Sequence, residues 1–274
     1  MKILITGASS YVGARLYSDL SKKFDVVGTY NTNKIFPELV QLDITDHDAV
    51  MQIVKKFKPA AIIHAAANPS ARWCESNPEL AVKINEDGTK NIVDAANAIK
   101  AKVIYISSVM IAIVPQNAYG RTKLAGEEYV KNTKYGFIIL RPSLIIGLSP
   151  NTTNDRPFNR ILQNIDEKTP AIYDTSWKFQ PTWLSHISEV IQISLEKSIT
   201  NEIIPIAVPE LKSRFDIAKD ILSCFNISVT PKNENDKTPV ITVTQDKLKQ
   251  FGLPCYNYSE IIIKIVNEIK GREK

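Results

Sequence analysis

Lys2-Ile3-Leu4-Ile5-Thr6-Gly7-Ala8-Ser9-Ser10-Tyr11-Val12-Gly13 opens the chain and decides its fold. A short apolar run ends at a glycine, and a helical pattern starts four residues later. Gly7 permits a tight turn with positive φ, which residues carrying a Cβ resist. Backbone N–H groups around Ser10–Val12 would then face outward at a helix N-terminus, where the helix dipole favours an anion. Gly13 lets the helix lie close against the strand. The spacing is Gly-x-x-Ser-x-x-Gly, with Ser10 where a Gly-x-x-Gly-x-x-Gly turn has its middle glycine. Gly7, Ser9, Ser10, Tyr11, Val12 and Gly13 are therefore the candidate cradle for a pyrophosphate.

Working outward, apolar runs alternate with helical patterns through the first half. Strands are expected at Asp25–Tyr30, Leu39–Leu42, Ala60–His64, Lys102–Ser107 and Gly136–Leu140. Helices are expected at Val12–Ser21, Asp46–Phe57, Ala118–Asn132 and, as one long stretch, Glu79–Ile99. Continuous apolar strands separated by helices imply a parallel sheet covered on both faces. The fold class is α/β, a Rossmann-type doubly wound parallel sheet with a small mixed C-terminal substrate lobe. The expected division is a dinucleotide-binding domain at 1–147, to which some later segments return, and a substrate-binding lobe at 148–274. In that second half, helices are expected at Pro157–Ile165, Ser188–Glu196, Ser213–Phe225 and Ser259–Lys270, a strand at Ile203–Ala207, and a polar surface loop at Val229–Thr238.

The end of the second strand bears on the ribose. NAD-preferring sites place an Asp or Glu there for the 2′-hydroxyl. This chain has Thr29-Tyr30-Asn31-Thr32-Asn33-Lys34 instead. Lys34 could meet a 2′-phosphate, so NADP is preferred over NAD as cofactor.

A second constellation lies further on. Ser107-Ser108 ends a strand at the carboxyl edge, where open α/β sheets bind ligands. Tyr119 and Lys123 follow at the start of a helix, four residues apart and so on one face. An ammonium beside a phenol favours the phenolate and is expected to lower the Tyr119 pKa. Tyr-x-x-x-Lys occurs on many ordinary helices. It gains meaning here by following the glycine turn and the strand-ending serines.

Composition narrows the classes. The 274 residues carry a net charge of +5 with no Lys/Arg run interleaved with aromatics, which argues against nucleic-acid binding. Cys74, Cys224 and Cys255 are widely spaced and odd in number, so a disulfide framework is not expected and a reducing cytoplasm is. No signal-peptide pattern and no membrane-length apolar run is read. Three histidines without metal-ligand spacing point to no metal site. His64 is read as structural, and His186 as a helix cap. Trp73, Trp177 and Trp183 are read as packing residues. Arg156, Arg160, Lys178 and Arg214 could meet a diphosphate but are better read as solvated.

These pieces together resemble the extended short-chain dehydrogenase/reductases. The resemblance runs along most of the chain: Thr6-Gly7 to Gly13, Leu42-Asp43-Ile44-Thr45-Asp46, His64-Ala65-Ala66-Ala67, Cys74-Glu75-x-Asn77-Pro78, Asn85 to Gly88-Thr89-x-Asn91, Ser107-Ser108, Tyr119-x-x-x-Lys123-Leu124-x-Gly126-Glu127, Leu140-Arg141-Pro142-Ser143 with Gly147, and Pro181-Thr182-Trp183. Within that family it is most similar to the dTDP-4-dehydrorhamnose reductase branch. The resemblance implies roles. Tyr119 would be the acid/base, Lys123 its partner and ribose ligand, and Ser108 the hydroxyl that orients substrate. Asp43 and Ile44 would flank the adenine, and Ala65, Ala66 and Ala67 would line the middle of the dinucleotide. Pro142 and Ser143 would sit near its nicotinamide, and Tyr30, Lys34 and Ser107 are counted among the cofactor-binding residues. The substrate would be a nucleotide sugar or a related small molecule. A homodimer is compatible with this reading, and the sequence does not fix an oligomeric state.

The pattern also departs from the family. Tyr119 comes only eleven residues after Ser108, so the intervening segment, Val109 to Pro115 and beyond, is short. It cannot supply the Asp–Glu pair that a 4,6-dehydratase needs. Arg72 stands where relatives often carry an acid. Three readings follow: an NAD(P)-dependent reductase of a nucleotide-linked 4-keto sugar, a 4-epimerase with retained NAD, or a non-catalytic NADP-binding subunit resembling the regulatory β subunit of methionine adenosyltransferase.

Overall fold

The computed structural model describes residues 1–113, 117–153 and 156–272. Its strands are β1 (Lys2–Thr6), β2 (Asp25–Tyr30), β3 (Val40–Gln41), β4 (Ala61–His64), β5 (Lys102–Ile106), β6 (Phe137–Pro142), β7 (Ile145–Ile146), β8 (Ala171–Asp174), β9 (Thr182–Trp183), β10 (Glu202–Ile206) and β11 (Val229–Lys232). Its α-helices are α1 (Tyr11–Leu20), α2 (His47–Phe57), α3 (Ala71–Ser76), α4 (Pro78–Ala81), α5 (Gly88–Ile99), α6 (Ala118–Lys131), α7 (Pro157–Glu167), α8 (Leu184–Glu196), α9 (Arg214–Leu222), α10 (Asp246–Gln250) and α11 (Tyr258–Arg272).

Seven strands form one sheet in the order β10-β6-β5-β4-β1-β2-β3. Every pairing in it is parallel. The order reverses between β1 and β4, so the β1–α1 turn and the ends of β4 and β5 open onto one crevice. The inner strands are apolar and buried on both faces, as in Ile3-Leu4-Ile5 and Val103-Ile104-Tyr105-Ile106. The side chains of Ile3 and Ile5 join one core cluster and that of Leu4 the other, so the core lies in two layers on either side of the sheet.

Three sequence expectations are corrected. The stretch 79–99 is not one helix. It breaks into α4, a π-helical turn at Val82–Asp87 and α5. The wider turn carries Asn85, fully buried, whose side chain is hydrogen-bonded to the loop after β4. Gly88 then packs so closely on Ile44 that a Cβ there would sit 2.7 Å from Ile44 Cδ1. Val229–Lys232 is not loop but strand, pairing in parallel with β8. Its polar side chains stay in solvent while its backbone makes the ladder. His186 does not cap a helix. It lies within α8, buried, with Nε2 2.7 Å from the Pro254 carbonyl oxygen. Burial pushes its pKa down to about 4, so it is neutral at physiological pH.

The strand expected at 203–207 is β10, and it pairs with β6 as the sheet's outer strand. The second half of the chain thus completes the sheet as well as supplying the smaller β8–β11 and β7–β9 ribbons.

Candidate active site

The β1–α1 turn is built as its glycines require. Gly7 has φ +70°, and a Cβ on it would meet Ala66 Cα at 2.7 Å. A Cβ on Gly13 would lie 2.0 Å from the Gly7 carbonyl oxygen. Ser10 caps α1, its Oγ accepting the Gly13 N–H at 3.0 Å. The middle position is therefore a helix cap, which a glycine could not supply. The Gly13 N–H is taken by Ser10 and the Ala14 N–H bonds the Ser10 carbonyl at 2.9 Å, so the Tyr11 and Val12 N–H groups are the ones left to meet an anion.

That turn forms one wall of a cleft of about 420 Å³. Ser10, Tyr11, Val12, Ala65, Ala67, Ser107, Ser108, Tyr119 and Lys123 all line it. The structure therefore gathers the candidate phosphate turn, the β4 edge and the Ser–Tyr–Lys set into one site. Gly7, Ser9, Gly13, Ala66 and Pro142 are not among its lining residues, and Gly7 packs on Ala66 and Gly13 on Gly7. Tyr30, Lys34, Asp43 and Ile44 sit toward the β2–β3 edge, outside the cleft wall. Lys34 is exposed, its Nζ 5.8 Å from the centre of the Tyr30 ring. Asp43 is exposed and its Oδ1 accepts the Thr45 N–H at 2.9 Å, whereas Ile44 is buried in the core.

Asn117 caps α6, accepting the Gly120 N–H at 2.8 Å, and the Glu75 carboxylate accepts the Ala118 N–H. These two contacts fix the first turn of the helix that carries Tyr119. Ser108 and Tyr119 line the same cleft, and the Ser108 Oγ accepts the Met110 N–H at 3.1 Å. Lys123 is buried. Its Nζ donates to the Ile106 carbonyl oxygen at 2.7 Å and lies 3.9 Å from the centre of the Tyr105 ring. Residues 114–116 of the short segment before Tyr119 lie outside the described residues.

The pKa expectation is corrected. Burial pushes Tyr119 up to about 12, against the opposing pull of Ser108 and Arg156. Burial also brings Lys123 down to about 7, opposed by Glu127. The ammonium is engaged below, by Ile106 and Tyr105, so enclosure of the phenol outweighs its help.

Glu127 and Asn85, quoted above only among the pieces that carry the resemblance, take structural roles that sequence reasoning did not assign. Glu127 is fully buried beneath the site. It accepts the Ser107 hydroxyl at 2.5 Å and holds Arg141 through two bonds of 2.9 and 2.5 Å. A signal existed, since Tyr119, Lys123 and Glu127 are four apart in succession on one helix face. Asn85 holds both the N–H and the carbonyl of Asn68, at 2.7 and 3.1 Å, and donates to Thr122 Oγ1 at 3.2 Å. His64 is structural. Thr89 Oγ1 donates to the Asn85 carbonyl at 2.7 Å, so at 3.1 Å it accepts from His64 Nε2, leaving Nδ1 to accept from Thr6 at 2.7 Å. On the far wall, Trp177 packs on Phe179 and lines the cleft with Arg156 and Arg214. Arg214 lies over the indole and pairs with Asp174 and Asp236, and Lys178 pairs with Asp216.

The family described as the RmlD substrate binding domain matches residues 1–247. This chain belongs to that family. An RmlD-type chain is also similar to the rat protein named methionine adenosyltransferase 2 subunit beta, 25% identical over 268 residues, 91% of this chain and 80% of that one. The bovine protein of the same name is 31% identical over 159 residues, so the chain spans about half of that relative's length: 53% of this chain aligns with 47% of it. Among solved structures, a Bacillus anthracis dTDP-4-dehydrorhamnose reductase in complex with NADP superposes with a TM-score of 0.83 at 22% identity, covering 97% of this chain and 99% of that one. The RmlD family match and this shared fold agree with the extended short-chain dehydrogenase/reductase architecture.

Proposed function

We propose that this chain is an NAD(P)-dependent reductase of a nucleotide-linked 4-keto sugar. The observation that carries the reading is the gathering of Ser108, Tyr119 and Lys123 in one cleft whose other wall is the β1–α1 turn. The turn fits a dinucleotide diphosphate. Its two glycines stand where any Cβ would collide with backbone, and its helix N-terminus is capped only by Ser10. Gly7 to Gly13 would hold the diphosphate, Ala65–Ala67 the middle of the cofactor, and Lys123 the nicotinamide ribose. The bound dinucleotide supplies a hydride to the carbonyl carbon.

This chain's residues do the rest. Ser108 donates a hydrogen bond to the carbonyl oxygen and holds it against Tyr119. The Tyr119 hydroxyl gives its proton to that oxygen as the alcohol forms. Lys123 then stabilises the phenolate until it is reprotonated from solvent. The absence of an acid after β2 and the presence of Lys34 favour NADP. Trp177, Arg156 and Arg214 on the far wall would receive the nucleotide end of the substrate.

The test is titration with NADPH and NADH, followed by loss of reduced-nicotinamide absorbance with nucleotide-linked 4-keto sugars. Tyr119→Phe is expected to cost about 10²–10⁴-fold in turnover while leaving dinucleotide binding intact. Unchanged turnover in that variant removes the catalytic assignment. A second reading, a non-catalytic NADP-binding regulatory subunit, is favoured by the names of the rat and bovine relatives. It predicts tight dinucleotide binding with no turnover in the unaltered chain.

A further inference from the structure

Behind the β1–α1 turn runs the segment from Gly147 to Asn151, which joins β7 to the approach of α7. It is bonded to the turn residue by residue. Tyr11 donates its hydroxyl to the Gly147 carbonyl at 2.5 Å, and Arg15 donates to the Leu148 carbonyl at 3.0 Å. Ser149 Oγ donates to the Tyr11 carbonyl at 2.7 Å, and Asn151 Nδ2 donates to the Ser9 carbonyl at 2.6 Å. Tyr11, Ser149 and Asn151 are all buried. A joint of four cross-links, three of them made by buried side chains, is specific, because each buried donor left unmatched there would cost free energy.

Two consequences follow for an anion at the turn. Carbonyl dipoles at Ser9 and Tyr11 would repel a diphosphate if they turned toward it. Asn151 and Ser149 engage and partly neutralise these oxygens, which leaves the free N–H groups of the turn to meet the anion. The joint also continues into the opposite wall. The Asn151 carbonyl accepts Asn159 Nδ2 of α7 at 3.3 Å, and the first residue of α7, Pro157, lines the cleft with Arg156 before it. The Asn151 side chain thus touches the anion turn while its own backbone carbonyl bonds the substrate-side helix.

We propose that Asn151 is a positioning residue that couples dinucleotide binding at the β1–α1 turn to the placement of α7 over the cleft. The proposal rests on the dinucleotide reading above and goes beyond it by giving the two binding regions a shared mechanical element. Asn151 touches neither ligand. It acts through the Ser9 carbonyl on one side and Asn159 on the other.

The test uses the full chain, NADPH as the probe, two disrupting variants and, as controls, Asn151→Ser and Asn151→Gln. Asn151→Asp keeps size and the Oδ1 acceptor that holds Thr153 but removes the Nδ2 donor. Ser149→Ala removes the neighbouring donor. Hydrogen–deuterium exchange is followed with and without NADPH, alongside the NADPH Kd by calorimetry and the Tm. In the unaltered chain, NADPH is expected to slow exchange both in residues 9–13 and in residues 157–167. In each disrupting variant, protection is expected to stay at 9–13 and to fall away at 157–167, with Kd raised about tenfold. Asn151→Ser is expected to restore neither. Asn151→Gln, which keeps the amide donor, is expected to recover part of both. Protection of 157–167 that persists unchanged in Asn151→Asp at unchanged Tm overturns the proposal. An unaltered chain that binds neither NADPH nor NADH removes the dinucleotide reading and this coupling with it.

Discussion

Lys123 Nζ is bound to the Ile106 carbonyl oxygen at 2.7 Å, a side chain of α6 tied to the last residue of β5. The bond places the ammonium at the floor of the cleft and buries it. That burial has a pH signature. Lys123 is brought down to about 7 in the folded chain, from an ordinary value of 10.5 in the unfolded one. Between those two values the unfolded chain holds more protons, so stability rises with pH through the window from about 7 to about 10.5. Below pH 7 both states are charged and the penalty for burying the cation is present in full. Lys123→Met removes this dependence. It is expected to be at least as stable as the unaltered chain at pH 7, with the difference shrinking by pH 9, and to bind NADPH more weakly. Urea unfolding at pH 6, 7, 8 and 9 measures it, and a difference that widens with pH contradicts it.

The Glu127–Arg141 pair sits directly beneath Ser107. Arg141→Ala leaves a fully buried carboxylate without its countercharge, and breaking such a pair costs about 3–5 kcal/mol. Glu127→Ala leaves a partly exposed guanidinium and is expected to cost less. Equilibrium urea unfolding of both variants should rank Arg141→Ala as the more damaging.

Gly13→Ala puts a methyl group 2.0 Å from the Gly7 carbonyl oxygen. Helix α1 must then move away from β1, and overpacking of this kind costs about 1–3 kcal/mol. The diphosphate cradle is made of the same atoms, so NADPH binding should be lost in a chain that still folds. Circular dichroism and calorimetry together separate the two effects.

Lys34→Ala tests the cofactor preference. A charge-assisted bond to a 2′-phosphate contributes about 1.5–3 kcal/mol. The variant is therefore expected to bind NADPH at least tenfold more weakly while its affinity for NADH stays the same. Equal losses for both dinucleotides would place Lys34 outside the ribose contact.

The first half of the fold was readable because its signals are local. Buried parallel strands such as Leu4 and Val103 sit in unbroken apolar runs, and Gly7 and Gly13 punctuate the turn at fixed spacing. Tyr119 and Lys123 were readable because helical spacing alone sets them on one face. The π-helical turn was not, since it is imposed by the Gly88–Ile44 contact and by Asn85 reaching back to Asn68, both across long sequence distances. Strand β11 was missed because Thr230, Pro231 and Lys232 face solvent and only Val229 of its side chains packs against the core. The upward pKa shift of Tyr119 escaped because it depends on how tightly the cleft encloses the phenol. Ser149 and Asn151 carry no motif, and their roles exist only once residues more than 130 positions apart are brought together.

Strand β10 reaches its place beside β6 from sixty residues downstream. A ribosome delivering this chain therefore releases β6 with one flank bare, and the gap closes only after the β7–α8 region has emerged and Glu202–Ile206 has arrived. A fragment ending at 147 would keep that flank open indefinitely. Such an unpaired apolar border invites strand addition from neighbouring copies, so the shortened chain is expected to aggregate more readily than the whole one.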